Sequence, residues 1–100
     1  MARFDVYRIE GLPHYVIDLQ AELLRDLSTR VVVPLVKLEA MDREAAVRLR
    51  PRLRIEGADW ILNTPELAAL PCSKLAERVA NLEDQRDIIV DAVDFLMQGY

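Results

Sequence analysis

Several short runs of the chain alternate between apolar and polar residues, and its C-terminal segment follows a helical period. Phe4-Asp5-Val6-Tyr7-Arg8-Ile9 alternates loosely and predicts a strand, with Phe4, Tyr7 and Ile9 competing for the inner face. Gly11-Leu12-Pro13 reads as a turn. Tyr15 to Gln20 forms the second run, so the two predict an antiparallel pair. Ala21 to Thr29 carries Leu23, Leu24 and Leu27 and has helical propensity. It is short and sits between two strong β runs, so it is read as a strand end and loop. Thr29 to Leu35 is the most β-branched segment. Pro34 has no N–H for a ladder, so the strand bends or bulges there, or turns that side out as an edge.

Asp42 to Ala46 resembles a helical turn, but Pro51 follows too soon for a long helix, which favours a loop. Arg48, Arg50, Arg52 and Arg54 then alternate with Leu49, Pro51, Leu53 and Ile55, giving a strand with one basic and one apolar face. Glu56-Gly57-Ala58-Asp59 turns the chain and Trp60 to Asn63 returns, which predicts a hairpin. Trp60 most simply anchors the core beneath it. Thr64-Pro65-Glu66 has the order of an N-cap, a first-position proline and a first-turn acid, predicting a short helix over Pro65 to Ala69 that Pro71 ends. Ser73 to Val79 is read as a further helical turn.

The segment from Leu82 to Tyr100 is the clearest helix. Ile89, Val93, Leu96 and Tyr100 share one side; Asp84, Asp87, Asp91, Asp94 and Gln98 share another. Asn81 is a good N-cap, and Glu83 and Asp84 suit the positive end of the helix dipole. The last turn has no Lys or Arg, while Asp91 and Asp94 approach the negative end. Each mismatch costs roughly 0.3–1 kcal/mol, so tertiary packing must hold this end.

Composition narrows the class. One hundred residues, 52% hydrophobic and 30% charged, support a single globular domain spanning residues 1–100. The net charge of −4 is concentrated in the last helix, where Glu83, Asp84, Asp87, Asp91 and Asp94 face only Arg86. An acidic chain is a poor candidate for direct nucleic-acid binding, because phosphate contacts dominate that affinity. Arg3 and Asp5 interrupt any signal peptide, and no apolar run approaches the ~20 residues that span a membrane. The single cysteine, Cys72, excludes an internal disulfide and suits the reducing cytoplasm.

Candidate chemistry is sparse. Cys72 and the only histidine, His14, occur in separate loops without a flanking signature, and no ligand spacing suggests a metal or cofactor. The aspartate stripe matches a solvated helix face. The arginine strand is either a nucleic-acid contact or, more simply, a solvated or carboxylate-paired face, since no aromatic residues interleave with it to stack bases.

An ordered series of segments resembles the CcdB family of plasmid and chromosomal toxins over essentially the whole chain. The series runs Phe4-Asp5-Val6-Tyr7, Val16 to Gln20 followed by Leu23-Leu24, and Val31-Val32-Val33-Pro34-Leu35. It continues through Leu49-Arg50-Pro51, Arg54-Ile55-Glu56-Gly57, Trp60, Leu70-Pro71, Leu75 to Leu82 and the helix ending in Gly99, with a shorter first turn at Gly11-Leu12-Pro13. The resemblance implies a mainly β fold, an SH3-like antiparallel barrel with a C-terminal α-helix, assembled as a two-fold homodimer. It implies a cytoplasmic, non-enzymatic toxin that binds the A subunit of DNA gyrase and so traps the enzyme on cleaved DNA. A CcdA-like antitoxin would neutralise it through a disordered segment that wraps the dimer. Carried over by position, the gyrase-binding residues are Leu23, Leu24, Asp94, Met97, Gln98, Gly99 and Tyr100.

The tip departs from the family pattern. Trp-Gly-Ile is typical there, and this chain has Gln98-Gly99-Tyr100; Asp94 and Met97 stand where Asn and Phe are usual. Removing a buried interfacial indole typically costs about 2–4 kcal/mol, roughly 30- to 1,000-fold in affinity. The rival expectation is therefore a protein of this fold that keeps its antitoxin but no longer poisons gyrase.

Overall fold

The computed structural model describes residues 2–37 and 48–99. Seven strands, β1 (Asp5–Ile9), β2 (Tyr15–Asp18), β3 (Thr29–Lys37), β4 (Arg52–Ile55), β5 (Ala58–Leu62), β6 (Ala68–Pro71) and β7 (Leu75–Asn81), precede one helix, α1 (Arg86–Gln98). The sheet runs β4-β5-β3-β2-β1-β7, with β6 added beside β3, and every pairing is antiparallel. It curls into a half-barrel with α1 against its inner side. Bulges in the β1–β7 ladder around Tyr7 add to the curl.

Alternation places apolar side chains on both faces of this sheet. Val6, Ile17, Val33, Leu35, Leu53, Ile55 and Leu62 meet Ile89 and Ala92 of α1 on the inner face. Trp60 joins them, as expected, and stacks on Tyr15 with ring centroids 4.6 Å apart. Tyr7 and Ile9 point the other way and cluster with Val16, Val32 and Leu75. The competition among Phe4, Tyr7 and Ile9 is thus resolved by using both faces. Phe4 keeps its ring in the inner core at the expense of a left-handed backbone, φ 73°.

Two polar clusters lie on the second face. Asp18 and Arg30 are fully buried; Arg30 Nε donates to Asp18 Oδ2 at 2.8 Å, and Nη2 makes an ionic contact with the same oxygen at 2.6 Å. Asp5 accepts hydrogen bonds from Arg78 Nε (2.8 Å), Asn81 Nδ2 (2.9 Å), the Ala2 amide (2.8 Å) and the Tyr7 hydroxyl (3.3 Å). It thereby ties the N-terminus to β7.

Pro34 is accommodated by a change of partner. Residues 29–32 of β3 pair with β6 and residues 35–37 with β5, so the missing N–H falls in the gap between them. The Pro34 carbonyl on that side is used by the Asn63 amide at 2.9 Å. The hairpin turn is the two-residue Glu56-Gly57, with φ 51° and 82°, the positive angles a type I′ turn requires. Ala58 and Asp59 already belong to β5.

Several expectations are corrected. Ser73 to Val79 is not a helical turn: one 3₁₀ turn, Cys72–Lys74, leads into β7, whose ladder with β1 overrides a pattern that also fits a helix. The helix expected over Pro65–Ala69 shrinks to the 3₁₀ turn Thr64–Glu66, because Ala68–Pro71 pairs with β3. Thr64 makes no capping bond, and its buried hydroxyl has no partner among the described residues. Only Arg52 and Arg54 stand on β4; Arg48 and Arg50 precede it. The Asp42–Ala46 reading lies outside the described residues. Asn81 is the last residue of β7 and not the N-cap of the last helix: its Oδ1 accepts the Glu83 amide at 2.9 Å, but the cap position of the 3₁₀ turn Glu83–Gln85 is Leu82 and α1 begins only at Arg86. Gln85 then clamps α1 to the sheet. Its amide takes the Arg54 N–H (3.1 Å) and donates to the Arg54 carbonyl (2.9 Å), as a neighbouring strand would.

Arg30→Met strands the Asp18 carboxylate in the interior and is expected to cost roughly 3–5 kcal/mol in urea unfolding. Replacing both partners, Asp18→Leu with Arg30→Met, is expected to cost less than Arg30→Met alone.

Stability should also fall at both extremes of pH. Burial, helped by the Asp5 carboxylate, pushes the Tyr7 phenol up to about 12 from 10.0. A raised folded value means this contribution is complete below pH 10 and lost as the pH rises through about 12. Burial raises Asp5, but hydrogen bonds from Arg78, Asn81 and the Ala2 amide outweigh it and hold the carboxyl below 3.8. That contribution is present above pH 3.8 and is lost as the pH falls through the lowered value. Thermal melts against pH, with tyrosinate absorbance, check both; Tyr7→Phe should remove the alkaline component.

Candidate functional site

The end of α1 projects a compact set of side chains. Asp94, Met97 and Gln98 are exposed, with Met97 64% accessible. Gly99 closes the helix in the left-handed conformation, φ 78°, donating to the Phe95 carbonyl at 2.8 Å. Glycine adopts that angle without strain, which terminates the helix at the tip. Tyr100 lies outside the described residues.

The sequence left this helix end without a nearby cation, and the fold supplies one from before β4. Arg48 forms a two-pronged bond to Asp91, with Nε to Oδ2 at 3.0 Å and Nη2 to Oδ1 at 3.1 Å. Its guanidinium also lies 4.6 Å from the centroid of the Phe95 ring. Asp84, Asp87 and Asp94 remain exposed, so most of the aspartate stripe is a solvated face. Of the four arginines, Arg50 is also committed, donating to Asn63 Oδ1 at 3.1 Å, and Arg54 donates to the Gly57 carbonyl. The four arginines therefore do not share one strand face.

Leu23 and Leu24 occupy the 3₁₀ turn Glu22–Leu24 between β2 and β3. Leu23 is 95% exposed, and Leu24 and Leu27 are about half exposed. The expected site residues therefore fall into two patches, the helix tip and this turn. Within the described chain no hydrogen bond or ion pair joins the two. The helix packs instead against the Thr64–Glu66 turn. A partner that uses both patches must bridge them.

Sequence reasoning missed three contributors. Leu27 extends the apolar turn and follows Leu23 at helical spacing, a pattern visible in the sequence. Ile88 is an exposed apolar residue on the acidic side of α1. The role of Arg48 had no local signal, because its partners lie more than forty positions away. His14 lines an apolar groove of about 370 Å³ with Ile9, Leu12, Val16, Val32 and Leu70, and Cys72 Sγ contacts the Leu27 carbonyl at 3.6 Å. Among the described residues no group of three His, Cys, Asp or Glu side chains is placed to hold a metal ion, and no helix is long and apolar enough to cross a membrane.

Apolar side chains held out in solvent, on a turn between two strands and separately at the end of a helix, are surface of the kind that docks on other proteins. A family model described as CcdB protein matches residues 3–99, and the chain belongs to the CcdB family. It is accordingly a toxin of the toxin–antitoxin kind.

Arg48→Ala should remove the bond to Asp91 and the cover over Phe95 together. Because the pair is half exposed, the expected loss is about 1 kcal/mol or less. The deficit should shrink in high salt, read as the difference in thermal midpoint from the parent at low and high ionic strength.

Proposed function

We propose that this toxin acts as a homodimer on the A subunit of DNA gyrase, trapping the gyrase–DNA cleavage complex, and that a CcdA-like antitoxin neutralises it in the cytoplasm. The observation that carries this reading is the tip. In a member of this family, Met97, Gln98 and Gly99 stand free of the core at the end of a helix whose other face is packed. A ligand that binds the cleaved state better than the sealed one shifts gyrase toward cleavage without breaking a bond itself. Poisoning by binding alone thus needs only complementary surface. A two-fold dimer would present two copies of that surface to a symmetric target.

Antitoxin binding follows the same surface logic. A disordered segment that folds on a toxin gains affinity from a large wrapped area, against an ordering cost of roughly 2–5 kcal/mol. The exposed Arg52 and Arg54 offer it a basic patch on an otherwise acidic protein.

Gln98 supports a second reading. It is exposed at the position where the family typically carries tryptophan, so the indole anchor is absent from the tip. On that reading the chain keeps its antitoxin and has lost gyrase poisoning.

Three experiments separate the readings. Sedimentation at micromolar concentration should give a dimer; a strict monomer contradicts the assembly. Removing Gly99 and Tyr100 should cost about 1 kcal/mol or less, since the Gly99 amide contributes a single capping bond. It should nevertheless abolish trapped gyrase–DNA complexes, whereas loss of the fold would make the tip structural. Gln98→Trp should increase trapping by tenfold or more (about 1.4 kcal/mol) without changing the thermal midpoint. A parent with no trapping that gains it through Gln98→Trp establishes the second reading.

A further inference from the structure

The turn that carries Leu23 and Leu24 has no core of its own: every residue from Ala21 to Thr29 is exposed. Apolar burial therefore cannot hold its shape. Its internal bonds are short-range, from Leu24 N to Ala21 O, Arg25 N to Glu22 O and Leu27 N to Leu24 O. Two residues of the body reach into it. Cys72 holds the far end, its amide donating to the Ser28 carbonyl at 2.8 Å. Gln20 holds the near end, and only 7% of its surface is exposed.

Both side-chain groups of Gln20 and its backbone N–H are used. Nε2 donates to the Leu24 carbonyl at 2.8 Å, Oε1 accepts the Val31 amide at 3.1 Å, and the backbone N–H donates to Asp18 Oδ1 at 3.0 Å. The same Asp18 carboxylate is held by Arg30. A continuous chain of bonds thus runs from the buried Asp18–Arg30 pair to the backbone beneath the exposed Leu23 and Leu24.

We infer that Gln20 is a positioning residue for target binding: it fixes the Leu23–Leu24 turn to the sheet, so that the two leucines are presented to the target already ordered. The inference rests on the proposal that this turn contacts gyrase. An untethered turn must be ordered on binding, which lowers affinity without removing any contact atom.

The test uses the full-length parent, Gln20→Leu, the pair Leu23→Ala/Leu24→Ala, and all three changes combined. For each, affinity for the gyrase target and hydrogen exchange at the Leu24, Arg25 and Leu27 amides are measured. Gln20→Leu is expected to speed exchange at those amides, leave exchange at Val33 and Leu62 unchanged, and weaken binding about tenfold (about 1.4 kcal/mol). In the combined variant it should weaken binding no further than the leucine pair alone, because its effect passes through those side chains. If Gln20→Leu does not fold, Gln20→Glu takes its place, keeping an acceptor for the Val31 amide and removing the donor to Leu24. If the leucine pair leaves gyrase affinity unchanged, the site reading fails while the exchange result still decides whether Gln20 tethers the turn. Unchanged exchange in the turn, or losses of affinity that simply add, overturns the positioning role.

Discussion

Arg30 and Asp18 are both sealed from solvent and paired with each other. A buried pair of this kind stabilises little relative to apolar residues of the same volume, but it tolerates very few arrangements. Here it specifies where β2 and β3 lie relative to each other, since a one-residue slip would turn Asp18 toward the inner core and Arg30 away from it. The inner face, the groove on the other face and the turn between the two strands all inherit that register. Among the described residues Arg30 Nη1 has no hydrogen-bond partner, which fits a pair that constrains geometry more than it adds stability.

From that register the molecule divides into parts that hold shape and parts that meet others. Helix α1 is clamped at its start by Gln85 on the β4 backbone and along its second half by Arg48 on Asp91 and Phe95. Its last residues, Met97 and Gln98, carry none of these clamps and face solvent. The Leu23–Leu24 turn is built on the same plan, with exposed apolar side chains held by polar tethers at its two ends. Both patches expose hydrophobic surface that a monomeric fold has no use for, which suits a toxin of the CcdB family.

Much of this was legible in the sequence, unevenly. Period-two and period-3.6 patterns gave the hairpin, the three long strands before it and the last helix, because burial on one face writes directly into local order. Leu75–Asn81 misled because Leu75 and Val79 fit a helix as well as a strand, and only the ladder to β1 decides between them. Ala68–Pro71 misled for the same reason, a strong cap-like signal at Thr64 being overridden by pairing with β3. The tip and the leucine turn came from resemblance to a family. What no local pattern could show were the long-range side-chain tethers, Arg48 to α1 and Asp5 to β7, since each joins residues far apart in the chain.

The central claim is that two separate exposed patches, tied to one rigid sheet, make a single docking surface for gyrase. Hydrogen exchange of the toxin in complex with the A subunit of gyrase tests it most directly. The account predicts new protection in both residues 21–28 and residues 94–100, with the β4–β5 hairpin unchanged. Protection confined to the hairpin around Arg52 and Arg54, or absent from both patches while binding is intact, would contradict it.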